Sequence, residues 1–279
     1  MIRKISCCPK GSVARAAASL SQFAITPSDV VDIPRTRNRT MVARHDNQSR
    51  TYHASVSVCS ENASASKRSD KSKRFVKIVE VGPRDGLQNE KKAVPTENKI
   101  QFIQMLAEAG CPTVEAAAFV SPKWVPAMAD GADVMEGLAK WKSQLRWTNR
   151  DDKCEFSVLV PNIKGFEAAM KSGAADEVAI FASASEVFSK KNINCSIDES
   201  IERFRDVMLA ARERDIPVRG YVSCVLGCPY QGEVPTESVA RLSEKLVEMG
   251  CREISLGDTI GVGTPVKTIE MLRDVEVSL

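Results

Sequence analysis

Three stretches of this chain repeat one pattern. AGCPTVEAAAF (109–119), SGAADEVAIFA (172–182) and MGCREISLGD (249–258) each read as a helix end, a glycine, a short turn and an apolar strand with a glutamate near its start. The glycine suits the left-handed position that closes a helix. Repeated strand–helix units fold as parallel strands with right-handed crossovers. A doubly wound open sheet and a (β/α)8 barrel both satisfy that rule; six units are visible in the sequence, and a barrel has eight.

The periodicity fills in the units. Val76, Ile78 and Val81 mark a first strand that stops at Gly82-Pro83. Thr96 is placed to cap a helix carrying Ile100, Ile103 and Leu106, which Gly110 ends. A strand over 112–119, a loop and a short helix near 130–141 follow. Strands are expected at 155–162, 177–183, 217–226 and 252–259. Ser196 and Glu199 have the spacing of a capping box, and Ile197, Ile201, Phe204, Met208 and Ala211 share a face behind them. Val239, Leu242, Leu246 and Met249 form a later helical face, and a last helix starts after Pro265.

The stretch with the most chemistry is FVKIVEVGPRDGLQNE (75–90). It sets Arg84 and Asp85 just past the carboxyl end of an apolar strand, where βα enzymes keep their reactive groups. Asp85 could ligate a hard divalent cation through oxygen, and Arg84 could hold a carboxylate or a developing enolate oxygen. A surface turn with a local ion pair is the alternative. Glu115 lies inside an apolar strand and needs a partner; Arg84 is one choice, a structural salt bridge another. Asp258 ends the last strand in SLGDTIGVGTP. The glycines behind it could bring N–H groups to a phosphate, but GxGxxG and a P-loop lysine are both lacking, so a plain βα turn is the simpler reading. Cys224 and Cys228 end the fifth strand and read as loop thiols. The only histidines are His45 and His53, so neither a Cys–His dyad nor a Ser–His–Asp triad can form after residue 53.

Charge divides the chain. Residues 1–74 hold 14 Lys/Arg against 5 Asp/Glu, and residues 75–279 hold 25 against 31. The part expected to fold is therefore acidic, which argues against a nucleic-acid surface. No run of about 18 apolar residues suggests a membrane span. Residues 1–28 carry four basic residues, no acidic one, and many Ala and Ser, the composition of a mitochondrial or plastid transit peptide. We take 1–74 as transit peptide and disordered extension, and 75–279 as the barrel domain. The nine cysteines show no zinc spacing and read as reduced intracellular thiols.

EVGPRDGLQNE, AAFVSPKWVPAMAD, FSKKNINCSI, GYVSCVLGCPYQGE and EISLGDTIGVGTP together resemble the hydroxymethylglutaryl-CoA lyase family, nearly without a break from Phe75 to about Leu272. The resemblance implies a TIM-type (β/α)8 barrel, about six of whose eight units are present. It implies metal-dependent retro-Claisen cleavage of 3-hydroxy-3-methylglutaryl-CoA to acetyl-CoA and acetoacetate, in the mitochondrial matrix, within leucine degradation and ketone-body formation. Asp85 matches the metal-binding Asp, for Mg2+ or Mn2+. Arg84 matches the enolate-stabilising Arg, and Glu115 and Asp258 match active-site acids. Gln88 and Lys91 lie in the matching substrate loop. The implied partners are a small acyl-CoA substrate and, for assembly, a second copy in a homodimer, with neither nucleic acid nor membrane.

The departures set the alternatives. The family's His-x-His ligands and later catalytic Cys loop have no match before Leu279, and Cys228 matches an earlier, noncatalytic GCPY. The strand after Glu115 reads Ala-Ala-Ala where the family usually has hydroxyls, and 146–155 reads as an inserted surface loop. A truncated, inactive isoform is one alternative; a related Claisen-type acyl-CoA synthase is the other.

Overall fold

The structure, a computed structural model, describes residues 76–144 and 153–279. The expected N-terminal extension and most of the expected 146–155 insertion lie outside those residues.

Six strands and seven helices follow one another along the described chain. They run β1 (Val79–Glu80), α1 (Thr96–Glu108), β2 (Thr113–Ala118), α2 (Gly131–Gln144), β3 (Glu155–Leu159), α3 (Ile163–Lys171) and β4 (Glu177–Ser183). Then come α4 (Glu186–Ile193), α5 (Ile197–Glu213), β5 (Val218–Ser223), α6 (Thr236–Glu248), β6 (Glu253–Gly257) and α7 (Pro265–Ser278). The strands hydrogen-bond in chain order, and every neighbouring pair is parallel. This is the sheet of a partial (β/α) barrel.

The sheet buries both faces, as parallel sheets do. On the helix side, Val114, Phe156, Val158, Val178, Ile180 and Val222 pack with Leu138, Phe204 and Leu246 in one large core. On the other side a smaller cluster holds Ala118, Val125, Met128, Leu159, Ala179 and Tyr221. The repeat's glycines do what their spacing implies: Gly110, Gly173 and Gly250 follow α1, α3 and α6 with φ of 88°, 76° and 103°. The Ser196–Glu199 capping box is present at the start of α5.

Two expectations are corrected, and one helix is added. β1 spans two residues rather than the full apolar run, because the chain enters the Gly82-Pro83 turn directly after Val81. Thr96 does not cap α1: the N-cap is Pro95, and the Thr96 hydroxyl instead donates to Asp130 Oδ2 at 2.8 Å. α4 was not expected, since FSKKNI has little apolar periodicity. It starts where the Ser185 hydroxyl accepts from Phe188 N–H and ends at left-handed Asn194, φ 52°.

The repeat's glutamates explain the floor of the sheet. Glu177 and Glu253 occupy the first positions of β4 and β6, on either side of Arg219 in β5. Arg219 Nε donates to Glu177 at 3.2 Å, while Nη1 and Nη2 reach Glu253 at 2.6 and 2.9 Å. Arg252 Nη2 reaches the second Glu177 oxygen at 2.6 Å. Arg219 and Glu177 are buried, so losing one partner strands a charge. Arg219→Met should cost about 3–5 kcal/mol, read as a lowered urea midpoint at unchanged slope; a loss below about 1 kcal/mol would show that the network contributes little.

Candidate active site

The Gly82–Gly86 segment is a single tight turn in which the N–H groups of Arg84, Asp85 and Gly86 converge on the Val81 carbonyl at 3.1, 2.7 and 3.5 Å. Pro83 fixes φ at its start. The turn folds inward: Arg84 is 4% exposed and Asp85 6%, so this is not the surface ion pair that the sequence left open. Arg84 Nη1 donates to Asp85 Oδ1 at 2.8 Å, and Arg84 Nε donates to Glu115 Oε1.

Glu115 sits on β2 with no exposure to solvent. The second partner of its carboxylate is one the sequence reading missed: the Tyr221 hydroxyl, from β5, donates to Glu115 Oε2. A signal existed, because Arg219, Tyr221 and Ser223 alternate along one strand and must share a face. The β2–β3 register slips between Glu115 and Ala117, a local irregularity of the kind that re-aims side chains beside functional sites.

The electrostatics keep the cluster's donors in place. Burial alone would lower the Arg84 pKa, but the Glu115 and Asp85 carboxylates outweigh it and raise the value, so the guanidinium stays charged. Burial first, and then the Glu115 charge, push the Tyr221 phenol well above its ordinary range, so it stays a neutral donor.

The other expected residues lie around this centre in different states. Gln88 is half-buried and Lys91 exposed, both in the segment after the turn, where Asn89 Nδ2 also donates to the Asp85 carbonyl at 2.8 Å. Asp258 follows β6, and its carboxylate accepts from Val262 N–H at 3.2 Å and Gly263 N–H at 2.7 Å. Those N–H groups therefore serve the turn's own aspartate, in keeping with a plain βα turn. Gly263 sits close against that turn: a Cβ there would come within 2.8 Å of Asp258 Oδ2 and 2.6 Å of Leu226 Cδ1, so one of those side chains would have to shift. Cys224 and Cys228 lie in the loop after β5, as expected of loop thiols, and both are buried. Burial would raise the Cys228 pKa, but hydrogen bonds from Ser185 and the Gln231 and Tyr230 backbone outweigh it and lower the value.

A family model described as HMGL-like matches residues 75–279. The chain belongs to the HMGL-like family. The hydroxymethylglutaryl-CoA lyase of Gallus gallus, named as mitochondrial, is 59% identical over 200 residues, covering 72% of this chain and 63% of that protein. The 3-hydroxy-3-methylglutaryl-CoA lyase of Danio rerio, named as cytoplasmic, is 56% identical over 201 residues, covering 72% of this chain and 57% of its own length. The crystal structure of the Pseudomonas aeruginosa hydroxymethylglutaryl-CoA lyase is 50% identical, with a TM-score of 0.66, over 72% of this chain and 63% of that one. The HMGL-like chain thus spans about six-tenths of the length of the relatives it matches.

A divalent cation can be tested against this family member's own donors. Among the described residues, no group of three or more His, Cys, Asp or Glu could hold a metal ion. Asp85 already pairs with Arg84, and both Glu115 oxygens are engaged. Hard cations take about six oxygen-type ligands, so the described residues do not by themselves fit one.

The buried thiols give this HMGL-like chain an alkaline limit. Burial pushes Cys154, Cys224 and Cys251 from an ordinary 9.0 to about 12. A raised folded pKa gives stability that is whole below the unfolded value and is lost as pH rises toward the folded one. Urea midpoints should hold up to about pH 8.5 and fall between pH 9.0 and about 12. Replacing Cys251 with Ala should shallow that fall; an unchanged slope would show that its thiol is not protected in the fold.

Proposed function

We propose that this chain carries the chemistry of a hydroxymethylglutaryl-CoA lyase: cleavage of 3-hydroxy-3-methylglutaryl-CoA to acetyl-CoA and acetoacetate. The observation that carries it is the buried cluster that joins Arg84, just past β1, to Glu115 in β2 and Tyr221 in β5, within a chain 59% identical to a lyase of that name. In the reaction the tertiary hydroxyl loses its proton and its oxygen becomes the ketone of acetoacetate. The C–C bond breaks, its electron pair passes to the thioester as an enolate, and that carbon takes a proton to give acetyl-CoA.

Arg84 is the residue assigned to the developing enolate oxygen. Glu115 and Asp85 hold Nε and Nη1, which fixes the plane of the guanidinium and leaves Nη2 to donate. Glu115 is assigned an orienting role: with a donor on each oxygen it ties Arg84 to Tyr221. Asp258 orders the 258–263 turn at the same catalytic edge, and Gln88 and Lys91 are the residues assigned to the acyl-CoA. A divalent cation, Mg2+ or Mn2+, would supply Lewis acidity at Asp85 with further ligands from outside the described residues. The mitochondrial matrix is the compartment that the basic N-terminal segment supports. A second reading, binding without turnover, is favoured by the incomplete donor set around Asp85 among the described residues.

The test is a cleavage assay on the chain with Mg2+ supplied, following acetoacetate release. Arg84→Gln should lower kcat by about 10²–10³, with the smaller change in KM. Wild-type turnover in that variant would remove Arg84 from the mechanism. No cleavage by the wild-type chain, with hydroxymethylglutaryl-CoA still bound, would establish the second reading.

A further inference from the structure

The strongest feature outside the site is a buried lysine. Lys99, in the first turn of α1, is 5% exposed, and its ammonium donates to the Ala127 carbonyl and to Asp130 Oδ1, each at 2.6 Å. Thr96 takes the other Asp130 oxygen. A buried ammonium is costly unless its donors are met, and these acceptors come from a single distant segment. Residues 119–130, between β2 and α2, have no strand and only short turns, one closed on the Ser121 carbonyl by the Trp124 and Val125 N–H groups and the other over Pro126–Met128. Lys99 grips the second turn at one end and the start of α2 at the other. The pinned segment inserts Val125 and Met128 into the inner-face cluster that contains Tyr221.

We propose that Lys99 and Asp130 are positioning residues: they clamp the 119–130 segment against Tyr221 and thereby hold the Tyr221–Glu115 contact dry and in register. Past Phe119, whose N–H donates to the Leu159 carbonyl at 2.8 Å, the segment lies outside the strand ladder. Val125 and Met128 supply the covering surface, and the Lys99–Asp130–Thr96 bonds fix where that surface sits. The inference rests on the reading of Arg84, Glu115 and Tyr221 as the reacting centre, but its test does not use turnover.

The experiment takes Lys99→Met and Lys99→Arg in the full chain. It follows amide hydrogen exchange by mass spectrometry and the Tyr221 phenol by NMR of ring-labelled tyrosine through an alkaline titration. Lys99→Met should speed exchange across 119–130 by about tenfold or more, leave α5 within about twofold, and bring the Tyr221 titration down toward that of an ordinary tyrosine. Lys99→Arg, which keeps the charge, should recover most of both effects. Unchanged exchange in 119–130, equal acceleration in α5, or an unmoved Tyr221 titration would each overturn the proposal. Should Lys99→Met fail to fold, Thr96→Val removes one bond to Asp130 and leaves the lysine in place; it should give the same pattern in smaller measure, and exchange like wild type would overturn the clamp. A wild-type chain that cleaves no substrate would sink the lyase reading, while the exchange and titration results would still decide the clamp.

Discussion

A carboxylate shut away from water must be held by donors, and Glu115 is held by two that lie far from it in the chain. Arg84 comes from the turn after β1, the neighbour of β2 in the sheet. Tyr221 comes from β5, with β3 and β4 in between. Three strand spacings amount to roughly 14 Å on a flat sheet, more than a tyrosine and a glutamate can comfortably bridge together. The contact forms because the sheet curls, bringing the inner faces of β2 and β5 toward each other. One hydrogen bond therefore records the barrel curvature. The same curvature makes the inner face concave, with the Arg84–Glu115–Tyr221 cluster on it.

That inner face is stratified by charge. Its lowest layer is Arg219 between Glu177 and Glu253, which ties the starts of β4, β5 and β6. Two residues further along the strands come Glu115, at the third position of β2, and Tyr221, two residues after Arg219. Both layers use the same device, an arginine between two carboxylates, with opposite surroundings. The lower layer closes on itself and serves stability. The upper one lies nearer the carboxyl ends of the strands, the side on which barrel enzymes bind their substrates. The period of two along a strand sets the layers apart, and it makes Glu115 the odd member of the repeat: its glutamate stands one layer higher than those of β4 and β6.

Much of this was legible in the residues. Gly110, Gly173 and Gly250 punctuate helices because only a glycine takes their left-handed backbone without strain, and the Ser196–Glu199 pair declares a helix start. Glu115 in an apolar strand announced a partner. Other features were not legible, for physical reasons. Whether Arg84 faces solvent or core depends on a turn whose three N–H groups share one carbonyl, and no local pattern encodes that. Tyr221 became a partner of Glu115 only through sheet curvature, a long-range property. Thr96 looked like a cap because caps are local, yet a distant aspartate won its hydroxyl. α4 was hidden because its stability comes from the Ser185 cap and the surface beneath it rather than from an apolar stripe of its own.

The charges of the upper cluster do not cancel. One guanidinium faces two carboxylates, and Tyr221 stays neutral, so the buried group carries a net negative charge. Coulomb energies there are larger than in water, and the excess bears on what the site can receive. An enolate formed by the proposed cleavage would meet Arg84, but it would also meet the field of Asp85 and Glu115. Two things soften that field. Glu115 spreads its charge over two donors, which lowers its effective reach. Asp85, the more peripheral carboxylate, is engaged through a single hydrogen bond to Arg84. The excess charge thus argues for positive charge arriving beside Asp85, and the sparse donor set argues that other ligands must come with it. Both follow from the same three side chains.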